Sequence, residues 1–156
     1  MGIEMEPIGR VEAARNHVED DYWGGQESRI VLAEQYEAEA LQGIEEFSHV
    51  EVIFFFDRLD PSGVVTGARR PRNNPEWPVV GIFAQRGKNR PNRIGCTICR
   101  VVRREGRSLF VSGLDAIDGT PVLDIKPVMA EFLPGEEIRQ PAWTHELMRF
   151  YWQSAS

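Results

Sequence analysis

Gly95-Cys96-Thr97-Ile98-Cys99-Arg100-Val101-Val102-Arg103 is followed, after Arg104-Glu105-Gly106, by Arg107-Ser108-Leu109-Phe110-Val111-Ser112-Gly113-Leu114. Both runs are rich in β-branched and aromatic residues, and Glu105-Gly106 between them has the composition of a tight turn. The stretch reads as a β-hairpin. Working outward, Pro121–Val128 is a further strand. Upstream, Val79–Ala84, Val50–Phe56, Arg29–Leu32 and Pro7–Val11 carry the same signal. Polar loops separate them at Asn16–Gly25, Asp57–Pro78 and Gln85–Ile94.

Helical spacing is rare. Tyr36, Ala40, Leu41 and Ile44 predict a short helix over Glu34–Leu41, stopped by Gly43. Pro141 can open a C-terminal helix, with Trp143, Leu147, Phe150 and Tyr151 on one apolar face over 141–152. About seven strands without βαβ alternation make the chain mainly β: a small barrel or strongly curved sheet with short peripheral helices.

The 156 residues fit one domain, 1–156, with a core over 5–130. The net charge of −6 argues against nucleic acid, but it hides an asymmetry. Residues 1–68 hold four Arg against fifteen acids, a balance of −11. Residues 69–107 hold ten Arg and one Lys against two acids, or +9, and residues 108–156 return −4. A segment this basic can bind an anion whatever the total. Arg outnumbers Lys by 16 to 2, and guanidinium is the better fork for carboxylate and phosphate.

The start of the chain, with Glu4 and Glu6, has no signal-peptide pattern, and Val52–Phe56 is too short an apolar run to span a bilayer as a helix. Two cysteines suggest reduced thiols and a cytoplasmic location. Cys96-x-x-Cys99 is half a zinc pattern, but on a strand the two side chains point to opposite faces. Core thiols and no metal are expected.

The densest chemistry is Phe83-Ala84-Gln85-Arg86-Gly87-Lys88-Asn89-Arg90-Pro91-Asn92-Arg93-Ile94-Gly95, four cations on one loop. It suits an anionic or carboxylate-bearing ligand. A second segment, Asp118-Gly119-Thr120-Pro121-Val122-Leu123-Asp124-Ile125-Lys126-Pro127, joins a turn to a strand. Asp124 and Lys126 share a face there, either lining a site or forming a structural ion pair. Ser48-His49 reads as a ligand contact or a core histidine. Trp23 either stacks on a ligand ring or covers the core.

Together with Pro7-Ile8-Gly9 and Glu46-Phe47-Ser48-His49-Val50, these two segments resemble the TsaA-like family, also called TrmO or YaeB. The match to its F-A-[TS]-R-S-x-x-R-P-N-x-I-G pattern holds at Phe83, Ala84, Arg86, Arg90, Pro91, Asn92, Ile94 and Gly95, and throughout Asp118–Pro127. Gln85, Gly87 and Arg93 depart from it. The resemblance implies a single-sheeted β-barrel that binds S-adenosylmethionine (SAM) as a homodimer, with the cofactor near the subunit interface. It also implies N-methylation of threonylcarbamoyl-adenosine in tRNA. By position it assigns cofactor contact to Trp23, Gly24, Gly25, His49, Val50, Arg86, Cys96, Asp118, Gly119, Thr120 and Pro121. Arg90, Asn92, Arg93 and Lys126 become candidates for substrate or RNA, and Asp118 or Asp124 for a base.

Three readings stay open on the sequence. One is an RNA methyltransferase with no use for DNA or membrane. The others are a methyltransferase on a small molecule or protein, and a non-catalytic SAM-binding module. The arginines outside the cofactor loop, Arg69, Arg70, Arg72, Arg100, Arg103 and Arg104, decide whether RNA is touched.

Overall fold

The computed structural model describes residues 1–154. Its strands are β1 (Gly9–Glu12), β2 (Glu27–Leu32), β3 (His49–Phe55), β4 (Ala68–Arg69), β5 (Val80–Gly81), β6 (Ile94–Glu105), β7 (Ser108–Ser112) and β8 (Pro121–Pro127). Six of them close into an antiparallel barrel in the order β1-β2-β7-β6-β3-β8. Pairing of Gly9 with Val122 and Arg10 with Pro121 completes the ring. The barrel expected from the strand count is the barrel found.

The hairpin that opened the reading is the pivot. Glu105 pairs with Ser108 around Gly106, whose φ of +58° suits glycine. The twelve-residue β6 serves two neighbours. Its first half pairs with β3 from Ile94 opposite Phe55 to Arg100 opposite His49. Its second half pairs with β7, with a register slip between Val101 and Arg103. Such a bulge bends a strand, which lets one strand turn the corner of a small barrel.

Alternation along the strands fills the interior. Val11, Ile30, Val50, Val52, Phe54, Cys99, Leu109, Val111 and Val122 are fully or almost fully buried and share one core. A side chain at Gly95 would come within 2.6 Å of the Phe54 ring, so close packing demands glycine there. A six-stranded barrel packed this way holds no ligand inside. The chemistry has to lie on the outer wall or on the loops at a rim.

Three local expectations are corrected. Val79–Ala84 contributes only Val80–Gly81 as strand, and Ile82–Ala84 is a 3-10 turn. There the Gln85 amide donates to the carbonyls of Arg69 and Val80 at 3.0 and 2.9 Å, and so ends the β4–β5 ribbon. Glu34–Leu41 is not a helix but a single 3-10 turn over Ala38–Leu41. Only Leu41 is buried in it, too little packing to offset helix nucleation. The C-terminal helix, α1 (Ala142–Leu147), stops short of Phe150 and Tyr151. Both residues instead lend their carbonyls to a neighbouring loop.

Cys96 and Cys99 do face opposite ways, and for that reason only Cys99 is the core thiol expected, while Cys96 is half-buried on the outer wall. No group of metal-binding side chains occurs among the described residues. No helix among them is long and apolar enough to cross a membrane.

Candidate functional site

Arg15 organises the first loop. It is 7% exposed, and its guanidinium lies 3.8 Å from the centroid of the Trp23 ring. It donates to the carbonyls of Asp21 at 3.0 Å and Tyr22 at 2.6 Å. Trp23 is 4% exposed and donates through Nε1 to the Asp20 carbonyl at 3.1 Å. Of the two sequence alternatives, the indole covers the core. One face is taken by Arg15, so the ring offers no open stacking surface.

The Asp118 turn braces the same loop from behind. Its carboxylate accepts from the Ala13 amide at 3.0 Å, and its own amide donates to the Arg15 carbonyl at 2.7 Å. Gly119, at φ +86°, donates to the Val11 carbonyl at 2.7 Å. Thr120 is buried and gives its hydroxyl to the Ile117 carbonyl at 2.7 Å. The side chains of Asp118 and Thr120 are thus spent on main chain. Pro121 begins β8.

The cationic loop is tied to the acidic one. Lys88 pairs with Asp20 at 3.0 Å, and Arg72 forks onto both oxygens of Asp21 at 3.2 and 3.0 Å. Arg90 donates to the Gln85 carbonyl at 2.6 Å. Arg93 donates to the Leu59 carbonyl at 2.9 Å and lies 4.8 Å over Phe55. Asn92 is exposed at a left-handed φ of +65°. Arg86 differs from these neighbours. It is exposed, and among the described residues it makes one hydrogen bond, from Nη2 to the Cys96 carbonyl at 2.7 Å. Its remaining donors have no hydrogen-bond partner among the described residues.

Beside Arg86 stands a group that the sequence reading missed. Asp115 accepts from the Thr97 hydroxyl on one oxygen and from the Tyr151 phenol on the other. Burial, and then Asp115 itself, push the Tyr151 phenol far up, so it stays a donor. Asp115 sits three residues before the Asp118–Pro127 motif, outside it, and Tyr151 is remote in sequence and carried only an apolar-face signal.

Cys96 is no nucleophile. Burial first, then its hydrogen bond to Glu51 at 3.0 Å, push the thiol up to about 11. His49 and Val50 are not brought into this cluster. They start β3, four and three residues from Ile53, which is the partner of Cys96, or about 10–13 Å along the strand. The Val50 side chain is in the core. His49 is exposed and bonded to Ser48 at 2.7 Å, so it is not a core histidine. Asp124 and Lys126 form an exposed pair at 3.7 Å on the outer wall.

The charge asymmetry closes on itself in space. Arg72, Lys88, Arg103 and Arg104 of the +9 segment pair with Asp21, Asp20, Glu27 and Glu45 of the −11 segment. Arg69 and Arg70 donate to nearby carbonyls. Arg100 is exposed and has no carboxylate within ion-pair distance among the described residues.

The chain is 38% identical over 102 residues to a human tRNA (adenine(37)-N6)-methyltransferase, which covers 65% of this chain and 23% of that one. It is 41% identical over 102 residues to a probable S-adenosyl-L-methionine-binding protein of Pyrococcus abyssi, covering 65% and 53%. It therefore spans about a quarter to half the length of these relatives. A crystal structure of TrmO from Pseudomonas aeruginosa matches at a TM-score of 0.67 and 29% identity, over 90% of this chain and 64% of that one. The sequence model of the tRNA-methyltransferase O N-terminal domain matches residues 19–132, which include the acidic loop, the Arg86 loop and Asp115. On that match the chain belongs to the tRNA-methyltransferase O N-terminal domain family.

Proposed function

We propose that this protein binds SAM at the Arg86–Asp115 rim and transfers its methyl group to the exocyclic nitrogen of threonylcarbamoyl-adenosine in tRNA. The observation that carries the reading is Arg86: a guanidinium anchored by one hydrogen bond, with its other donors unpartnered among the described residues. That donor set fits the carboxylate end of SAM, which it would take by a two-pronged bond. The amides of Trp23 and Gly24 are occupied, so Gly25 and the wall beside Cys96 are the parts of the assigned set left facing a ligand.

When bound, SAM supplies an electrophilic methyl on a positively charged sulfur. The chain's part is to hold two reactants in line, and fixed side chains do that best. Asp115, gripped on both oxygens, is the carboxylate with a defined direction here. Asp118 is committed to its turn. Asp124 is paired with Lys126, two strands and about 10 Å from Cys96. Neither is placed as a base for a substrate beside Arg86.

The homodimer is part of the proposal. Phe83, Ile98, Met129, Phe132 and Leu133 are exposed apolar side chains, with Phe132 at 87% and Phe83 at 76%. Large exposed apolar groups of this kind mark interaction surfaces. A second copy covering them is expected as a doubled mass by light scattering. We place the protein in the cytoplasm.

A second reading, methyl transfer to a small molecule or protein, draws on the paired arginines: four cations of the basic segment meet acids of the same chain. Labelled SAM, offered with total RNA or with a metabolite and protein extract, separates the two. Label in RNA supports the tRNA reading. Label only in the other fraction replaces it.

A further inference from the structure

The matched family region ends at residue 132, yet the last described residues are built into the rim. Tyr22 donates to the Phe150 carbonyl at 3.1 Å, Trp23 to that of Tyr151 at 2.7 Å, and Gly24 to that of Gln153 at 3.2 Å. Gly24 and Ser154 form a parallel bridge. Any side chain at Gly24 would overlap the Trp152 carbonyl, so this glycine is required by the tail. A second tie runs from the Trp77 indole to Glu146 at 2.9 Å, joining α1 to the loop that carries Arg72. Arg72 in turn grips Asp21.

The tail also reaches across the rim. The Tyr151 phenol bonds one oxygen of Asp115 while Thr97, on the barrel wall, bonds the other. One residue therefore fixes two things: its carbonyl holds the Trp23 amide and its hydroxyl holds the Asp115 carboxylate. A carboxylate with a single hydroxyl donor rotates; one held on both oxygens keeps one direction.

We propose that Tyr151 is a positioning residue for cofactor binding, acting through Asp115 and the Trp23-Gly24 loop, so that the C-terminal segment forms one wall of the site. This rests on the reading that SAM binds at the Arg86–Asp115 rim. The residue touches no reacting atom. It sets the shape that the cofactor meets.

The test is SAM affinity of the full chain by calorimetry, with Tyr151→Phe beside wild type. The substitution keeps the ring and the carbonyl and removes only the hydroxyl. The expected result is affinity for SAM lower by about tenfold, and KM for SAM raised to match while KM for the methyl acceptor stays put. Wild-type affinity in a folded Y151F protein overturns the inference and leaves the Arg86 reading intact. Failure of the wild type to bind SAM overturns both. Hydrogen exchange on wild type needs no variant: SAM should slow exchange in both 22–24 and 150–153. Unchanged exchange in both segments, with protection elsewhere, overturns the proposal even if Y151F does not fold.

Discussion

Arg15 lies over Trp23, its guanidinium 3.8 Å from the ring centroid, while the same side chain holds the carbonyls of Asp21 and Tyr22. This buried cation is the frame of the acidic loop. Removing it deletes a cation–π contact and two charge-assisted hydrogen bonds, leaving two carbonyls short of a donor. Arg15→Ala should cost about 2–4 kcal/mol of folding stability, measured by urea denaturation. Arg15→Lys keeps the charge but loses the guanidinium–indole contact and the fork, and should recover only part of it. A loss in R15A no larger than at an ordinary surface site would show that the loop is framed by something else.

Arg86 makes the opposite prediction. It is exposed and bonded once, so Arg86→Lys should leave stability within about 0.5 kcal/mol. Its SAM affinity should nevertheless fall about tenfold or more, because an ammonium cannot make the two-pronged bond. Calorimetry on the folded variant reads this directly, and unchanged affinity removes Arg86 from the site.

The Cys96 thiol is pushed up to about 11 from an ordinary 9.0 by burial and then by Glu51. The folded chain holds this proton more tightly than the unfolded one. The stabilisation is therefore complete below pH 9.0 and is lost as pH rises through about 11. Burial shifts Cys99 and Tyr151 in the same direction, which extends the loss to still higher pH. The urea midpoint should fall over that window, and Cys96→Ser should soften the onset. The same shift predicts slow alkylation of Cys96 at neutral pH.

For RNA, Arg100 is an exposed strand arginine of the basic segment with no carboxylate within ion-pair distance among the described residues, whereas Arg103 and Arg104 face Glu27, Glu105 and Glu45. Exposed ion pairs are worth roughly 0–1 kcal/mol, so RNA can draw those arginines away at small cost. Binding of tRNA should weaken with salt, and Arg100→Glu should reduce the log–log salt slope by about 1. An unchanged slope in that variant would place the RNA contact elsewhere.

The barrel was legible because alternation is local. Val50, Val52 and Phe54 announce one face of β3 within five residues, and the turn at Glu105-Gly106 sets the pairing of β6 with β7. The Arg86 loop was legible because its four cations fall within eight residues, 86–93. Asp115, Thr97 and Tyr151 were not: their bonds span 18 and 36 residues, and no periodicity reports such a distance. Tyr151 was hidden further because its spacing fits a helix face, while the chain leaves the helix at Leu147 to pair with the Trp23 loop. Trp23 looked available from composition alone, and only the position of Arg15 shows that its face is taken. The charge blocks read as an anion-binding basic segment, but folding pairs part of that segment with the −11 segment.

Methyl transfer from SAM to a tRNA adenosine is the activity proposed for this protein. Its most direct test incubates the full chain with methyl-labelled SAM and tRNA from cells lacking the protein, then digests the tRNA to nucleosides for mass analysis. Label is expected on threonylcarbamoyl-adenosine, and that label is expected to be lost with Arg86→Ala. Unlabelled nucleosides from tRNA that carries threonylcarbamoyl-adenosine, with a wild-type protein that binds SAM, would contradict it.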